Sequence, residues 1–526
     1  MESKKLSFNW RMIKRDILRN WPIWGATTAI FLLTITGTLG LFTYYDKTER
    51  QVIKEVISWL LMVSSFASIV LGLFVALAAF GYLGSKKKHY FYEFLPMNRI
   101  SLFTTRFLFG FIVMMIPCII IYLVELIQIF STTGYFIIGS MTAWLAIMAV
   151  QNLFWFAFGT LFVVLCGRRL MAGILYAAFA FVGILIEYTI AIYNSFMFIG
   201  YGRSFSTNDV LDIGIFSPIE YIFSNKLYYG TYSYINDGDY VNIDGIFGTG
   251  KLIVVLISAL VLIAASLVLY RKRECERTED NIVFKIFKPV LSSLFTIFFT
   301  IEMTLLMVGI FASQAEGFSH VPVYRIFIIV LIIIFGYIGY MISCMIIEKS
   351  FKVFKKNFIK ASIVTGAMII FMILYMHDIF GFETKVPDID DITTCYVSGD
   401  QYQSERYYSE TQMSKDDIQK VIELHNIILG HLDEVIEFNN EKNGIGYLFR
   451  EASVVIRGVE YRDSNGKKLD IGDRIFIDYN LKNGNNVYRD YYIIPEGSLY
   501  EELKAYINKY PDFFLPGDAD VQYYFD

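Results

Sequence analysis

Charge is scarce in this chain, and the scarcity is local. Asp, Glu, Lys and Arg make up 18% of the 526 residues, where a soluble chain carries about 25%. The shortfall lies before Met376, where charge-free blocks alternate with basic clusters; beyond it the composition is that of an ordinary soluble protein. Two such regimes imply two domains with different solvents. Cysteine is scarce too. Cys118, Cys166 and Cys344 fall in apolar blocks, Cys275 in a charged loop, and Cys395 stands alone in the C-terminal region. The lack of any C-x-x-C excludes a zinc ribbon or dithiol redox site, and no pair is placed to staple the C-terminal region. An external domain without a disulfide fits a bacterial surface better than a eukaryotic secretory route. A cleavable leader is not expected either. The N-terminus is basic (Lys4, Lys5, Arg11, Lys14, Arg15, Arg19), but the apolar block after it is long enough to span and lacks a small-x-small cleavage site.

What the chain has in excess is apolar length. Hydrophobic residues make up 55% and aromatics 17%. A membrane span needs about 20 mostly apolar residues, and nine blocks qualify: Pro22–Tyr44, Ile57–Leu83, Phe107–Phe130, Phe136–Cys166, Leu170–Tyr193, Leu252–Tyr270, Val290–Phe311, Ile326–Ile347 and Ala361–Met376. The fourth is long enough to tilt or to begin with a re-entrant turn; the ninth is short enough to borrow Phe358 or Phe380. With the N-terminus inside, the cytoplasmic segments carry 24 Lys and Arg, against seven in the outer loops before the ninth span. This is the asymmetry that orients polytopic proteins. The expected fold is an α-helical polytopic membrane protein of about nine transmembrane helices with a C-terminal extracytoplasmic α+β domain. Its expected parts are an interfacial helix over 1–21, the membrane domain over 22–376 and the outer domain over 377–526.

Two features mark the cytoplasmic face. In Phe8–Trp21, Trp10, Ile13, Ile17 and Trp21 recur at helical spacing, with Arg11, Lys14, Arg15 and Arg19 opposite. This is a basic amphipathic helix lying along the inner leaflet; a simple positive-inside anchor is the plainer reading. The second loop runs from Lys86-Lys87-Lys88-His89 through Tyr90-Phe91-Tyr92-Glu93-Phe94-Leu95-Pro96 to Arg99. A short helix with exposed aromatics beneath the membrane suits docking, against the alternative that its aromatics rest among headgroups.

These residues carry a resemblance. The interfacial helix, two spans, and then Glu93, Leu95, Pro96, Arg99, Phe103 and Arg106-Phe107 resemble ABC-2-type permeases of Gram-positive bacteria. The charged exit Tyr270-Arg271-Lys272-Arg273-Glu274 through Phe284-Lys285 is similar to the one after the sixth span of such permeases. The stretch Glu348-Lys349-Ser350-Phe351-Lys352-Val353-Phe354 and the pattern Tyr479-x-Leu481-x-x-Gly484…Val487-x-Arg489-x-Tyr491 are similar to permeases with an uncharacterised extracytoplasmic C-terminal domain. The resemblance implies the permease subunit of an ABC transporter in a bacterial plasma membrane. Its partners would be a separate ATPase, a second permease copy or related permease, and the lipid bilayer, with no nucleic acid. Tyr90, Phe91, Glu93, Phe94, Leu95, Pro96 and Arg99 would form the ATPase-coupling loop, with Glu93 and Arg99 as polar contacts. A plain ABC-2 permease has six spans, so the last three and the C-terminal domain are additions.

An ATPase site is not expected in the chain itself. Gly245-Ile246-Phe247-Gly248-Thr249-Gly250-Lys251-Leu252 comes within one residue of a P-loop, but Leu252 replaces the magnesium-binding Ser or Thr, and no hydrophobic strand is expected to feed it. Glu125, Glu187 and Glu302 lie inside apolar blocks with Gln128, Gln151 and Asn152. Carboxylates at that depth cost about 2.5–3.5 kcal/mol on insertion scales, so they face a cavity or a partner. Glu125, Glu187, Gln151, Asn152 and Glu302 are therefore candidates to line a substrate cavity. Glu125 and Glu187 would sit in an outward vestibule suited to cations, against the plainer reading of protonated or hydrogen-bonded helix contacts.

The loop Asn194–Gly250 reads as solvated, and Asp237-Gly238-Asp239 lacks EF-hand spacing. From His377 on, 29 acidic residues face 15 basic ones. A helix is expected over Ser414–Leu432, strands over Ala452–Arg457, Arg474–Tyr479 and Val487–Ile494, and a final helix over Tyr500–Tyr510. Asn465-Gly466 and Asn483-Gly484 are hairpin signals. His425 and His431, six apart, are not expected to bind zinc. No cofactor and no enzymatic activity are expected. The rival reading is a non-transporting sensor or assembly protein whose outer domain binds a ligand such as a cationic peptide. A membrane enzyme comes third, since no His-Glu pair or serine-centred constellation lies in the spans.

Overall fold

The computed structural model describes residues 9–36, 49–201, 218–219, 228–236, 239–247, 249–278, 280–311, 320–379, 381–399, 414–436, 474–482, 486–492 and 497–510. Among these, eight helices are long and apolar enough to cross a membrane, and the chain is a polytopic helical protein. It divides into two units, residues 1–184 with 213–290, and residues 185–212 with 291–526.

The first unit opens with α1 (Trp10–Arg19), capped by the Asn9 side chain on the Met12 amide, and α2 (Trp21–Phe31), which carries Pro22 in its first turn and runs on as a π-turn over Leu32–Thr36. The rest of the first expected span, 37–44, lies outside the described residues. Then come α3 (Glu49–Phe80) with a 3-10 turn over Gly81–Gly84, α4 (Lys86–Glu93), α5 (Arg99–Thr133), α6 (Ile138–Leu165) and the first half of α7 (Arg169–Met197). Asn98 caps α5, accepting from the Ser101 amide at 2.6 Å, and Gly134 ends it in the left-handed region at φ 74°. The re-entrant option for the fourth span is not taken: α6 is one unbroken helix. Helices α3 and α6 touch backbone to backbone. A Cβ on Gly72 would lie 2.7 Å from the Trp155 carbonyl oxygen, and one on Gly159 2.7 Å from that of Gly72. Glycines at such a crossing let helices approach where lipid supplies no hydrophobic drive.

The solvated loop expected over Asn194–Gly250 is partly structured. Strands β2 (Tyr228–Asn236) and β3 (Asp239–Phe247) pair antiparallel from Tyr228↔Phe247 to Asn236↔Asp239. That register leaves two residues, 237 and 238, between the strands, and both lie outside the described residues. The expectation that no strand feeds the P-loop look-alike is also corrected, since β3 leads to α8 (Thr249–Lys272). Only position 248 separates strand from helix, too little chain for the eight-residue loop that cradles phosphate.

The second unit takes the end of α7, then α9 (Phe287–Phe311, from Leu291 on), α10 (Pro322–Glu348) and α11 (Phe354–Met376). The ninth span is longer than its apolar block because α11 begins at Phe354 and takes in Phe358; Phe380 lies outside the described residues. On α9, Ser292, Thr296, Thr300 and Thr304 form one buried row. Thr296 and Thr300 donate to the carbonyls four residues back, so the row packs without orphaned hydroxyls at those positions. The α10–α11 hairpin closes over Gly336, whose Cβ would meet Thr365 Oγ1 at 2.6 Å, and over a Tyr337–Ser362 hydroxyl pair at 2.7 Å.

The C-terminal domain is α+β. Its sheet has the order β1-β6-β5-β4, all antiparallel, from β1 (Gly200–Tyr201), β4 (Ile392–Gly399), β5 (Arg474–Leu481) and β6 (Asn486–Tyr492). Helices α12 (Lys415–Gly430, capped by Ser414) and α13 (Ser498–Lys509) pack with it around Leu424, Ile428, Ile477, Tyr479 and Leu503. The expected helices and the strands at 474 and 487 are found within two residues at most boundaries. The expected strand at 452–457 and both Asn-Gly turns lie outside the described residues. β4 is an addition, and so is β1: the sheet takes an edge strand from directly after α7. Gly200, at φ 75°, lets that edge lie against the Tyr491 ring, which a Cβ would meet at 2.1 Å.

Candidate functional site

Helix α4 bridges two spans and is held by charged residues behind it. Arg273 follows α8 and is buried; it donates to the carbonyls of Val163 and Val164 in the last turn of α6 and of Leu83 at 2.9 Å. A cation there satisfies orphan carbonyls and offsets the negative end of the helix dipole. Arg106 on α5 pairs with Asp16 of α1 at 2.7 Å, both buried, and its guanidinium lies 4.7 Å from the Tyr92 ring centre. Breaking such a pair by removing one partner typically costs about 3–5 kcal/mol. His89 places Nδ1 3.0 Å from Thr278 Oγ1, and burial, then the nearby Arg273, push its pKa down to about 4, so it stays neutral.

The outward side of α4 is different. Lys86, Lys87 and Lys88 are exposed, Tyr90 is exposed, and Phe91 and Phe94 keep 65% and 85% of their surface open. Pro96 is exposed beyond them and Leu95 half-buried. Glu93 and Arg99 form an ion pair with each other, and Arg99 Nη1 also donates to the Arg271 and Arg273 carbonyls at 3.0 and 3.1 Å. Both residues therefore spend polar capacity inside the chain. The loop is an aromatic surface on a braced base.

Three parts of that base escaped the sequence reading. Asp16 is the lone acid of a basic helix, and with Met12 and Ile13 it forms the face turned to the protein. An acid at i+3 and i+4 from two apolar residues was the available signal. The apolar residues assigned to one face are divided, since Trp10 and Trp21 are exposed while Ile13 is buried. Arg273 and His89 gave no signal, because their partners are backbone carbonyls and a distant threonine.

The candidate cavity residues fall into separate groups. Gln151 and Asn152 on α6 are buried against α3, accepting from Ser65 Oγ at 2.8 Å and Ser68 Oγ at 2.7 Å; Asn152 also reaches Cys118 Sγ at 3.4 Å. Glu125 is fully buried on α5, in the same unit. Glu187 and Glu302 belong to the second unit, where Glu187 is buried and Glu302 Oε1 lies 2.5 Å from Thr189 Oγ1. In the C-terminal domain, both ring nitrogens of buried His425 are taken, by Tyr479 at 3.0 Å and Tyr491 at 2.9 Å, and His431 faces Glu502. Among the described residues no three His, Cys, Asp or Glu side chains are grouped to hold a metal.

Comparison with family models, curated proteins and solved structures gives no match.

Proposed function

We propose that the chain is the permease subunit of an ABC transporter and that α4 seats in a groove of a separate ATPase. The supporting observation is the exposure of Phe91 and Phe94 on a helix braced from behind by Arg273, His89 and the Asp16–Arg106 pair. A rigid helix transmits force, and two open aromatics are the usual anchors of a protein groove. The Lys/Arg asymmetry places α4 in the cytoplasm and the C-terminal domain outside a bacterial plasma membrane. A second permease copy would complete the pathway, with substrate moved by alternating access. Arg99 neutralises Glu93, so the charge of Glu93 does not decide between a protein groove and lipid headgroups. The open aromatics and their bracing favour the groove.

The test is Phe91→Ala with Phe94→Ala. Glu93 is left intact because it orders Arg99. Aromatic anchors typically cost 2 kcal/mol or more on truncation, about thirtyfold in affinity each. The double variant should insert and melt like the wild type, yet lose both recovery of the ATPase from native membranes and stimulation of its hydrolysis. Normal binding and stimulation by the variant would refute the assignment.

A second reading, a sensor whose C-terminal domain binds a ligand, draws on β1. A strand contributed from directly after α7 gives that domain a short mechanical link to a span. Failure of the wild-type chain to recover any ATPase would move this reading ahead.

A further inference from the structure

The turn between α10 and α11 is more basic and more aromatic than a connection requires. From Lys349, in the left-handed region at φ 53°, to Lys360 the chain reads Lys-Ser-Phe-Lys-Val-Phe-Lys-Lys-Asn-Phe-Ile-Lys. Val353 and Asn357 are buried and fix the turn; every other residue from Phe351 to Lys360 is exposed. Phe351 keeps 83% of its surface open and Ile359 73%. Lys356 lies 3.6 Å from Glu348, whereas Lys352, Lys355 and Lys360 form no ion pair among the described residues.

An apolar stripe descends from this cluster. Lys355, Ile359, Ile363, Gly366 and Ile370 follow one another at intervals of four, four, three and four, and so share one face of α11. Ile359, Ile363 and Ile370 are exposed, and a Cβ on Gly366 would meet nothing within 4 Å. Ile359 to Ile370 covers about 16 Å of helix at 1.5 Å per residue, close to the roughly 15 Å depth of one hydrocarbon leaflet. The face thus has a cationic head, an aromatic collar and an apolar tail one leaflet long.

We propose that this face binds an anionic phospholipid. Its phosphate would lie at Lys352 and Lys355, with Lys360, about a quarter-turn round the helix from Ile359, adding charge near the headgroup, and one acyl chain along Ile359, Ile363 and Ile370 over the gap at Gly366. A soluble anion would use the lysines and leave the aligned apolar stripe idle, and a neutral lipid would leave three unpaired lysines idle; an anionic lipid satisfies both. The inference is independent of the transporter reading.

The experiment uses the purified full chain in equimolar phosphatidylglycerol and phosphatidylcholine, with retained lipid counted by native mass spectrometry. Each lysine near an anionic surface is worth about fivefold in affinity. The wild type should therefore retain phosphatidylglycerol in preference, by roughly tenfold or more. The variant Lys352→Gln/Lys355→Gln/Lys360→Gln should lose the preference while its melting temperature in phosphatidylcholine stays put. Lys86→Gln/Lys87→Gln/Lys88→Gln should keep it, and Gly366→Leu should lower phosphatidylglycerol retention with all the charges in place. Equal retention of the two lipids by the wild type would overturn the proposal, as would unchanged preference in the Lys352 triple variant. Displacement of the lipid by millimolar inorganic phosphate would reassign the lysines to a soluble anion, and unchanged retention in Gly366→Leu would remove the acyl-chain half.

Discussion

At the residue scale, buried charge in this protein is either paired or costly, and the two cases differ in what they predict. Arg106 and Asp16 neutralise each other, with two aromatic rings, Tyr82 and Tyr92, against the guanidinium. Asp478 in β5 has no such cover. It is buried, its Oδ1 has no hydrogen-bond partner among the described residues, and burial raises its pKa to about 6 despite a hydrogen bond from Tyr488. A carboxyl whose folded pKa is raised binds its proton more tightly in the folded state. Its contribution to stability is therefore full below about pH 4 and is lost as pH rises through about 6. Asp478→Asn should stabilise the full chain by about 1–3 kcal/mol at pH 8, read as a higher melting temperature, and the gain should vanish at pH 4. An equal gain at both values would assign the effect to packing instead.

At the element scale, helices and strands were legible wherever period and caps agree. The helix expected over Ser414–Leu432 is α12, capped by Ser414 on the Asp417 amide and burying Ile418, Val421, Leu424, His425 and Ile428. The α3–α6 crossing was not legible, because Gly72 and Gly159 sit in apolar blocks with nothing to show which glycine meets a neighbouring backbone. Structure separates them. Gly72→Ala must push against the Trp155 backbone and should cost about 1–3 kcal/mol, as overpacking does. Gly139→Ala and Gly309→Ala meet nothing within 4 Å; they should be neutral or stabilise by up to about 1 kcal/mol through helix propensity. Thermal melting of the three variants in one detergent checks the contrast, and a Gly72→Ala variant as stable as the other two would refute the close crossing.

At the scale of the whole molecule, the boundary between units does not follow the change in composition. Apolar spans end at Met376, yet the second unit gathers the end of α7, three later spans and the C-terminal domain. The Lys/Arg asymmetry predicts that this domain lies outside the cell. Tyr479 is fully buried and would be a silent reporter, so the label belongs on an exposed position of α12. In a cysteine-free background, Gln419→Cys should react with a membrane-impermeant maleimide in intact cells, and Lys87→Cys only after permeabilisation. The reverse pattern would invert the topology.

The sequence by itself determined the solvent of each region and the period of each element, because hydropathy, helical spacing and capping residues act over a few neighbours. It placed the helical blocks, the basic clusters and the aromatic loop at Tyr90–Arg99. It did not determine which distant residues meet. The clasp of Ser65 and Ser68 with Gln151 and Asn152, the seat of Arg273 on three backbone carbonyls, and the strand at Gly200 that joins β6 depend on partners that are about 80 to 290 residues away along the chain. A polar group inside a span must find a partner, but sequence spacing cannot name that partner. Only tertiary packing, where an unpaired group would carry its full desolvation cost, decides it.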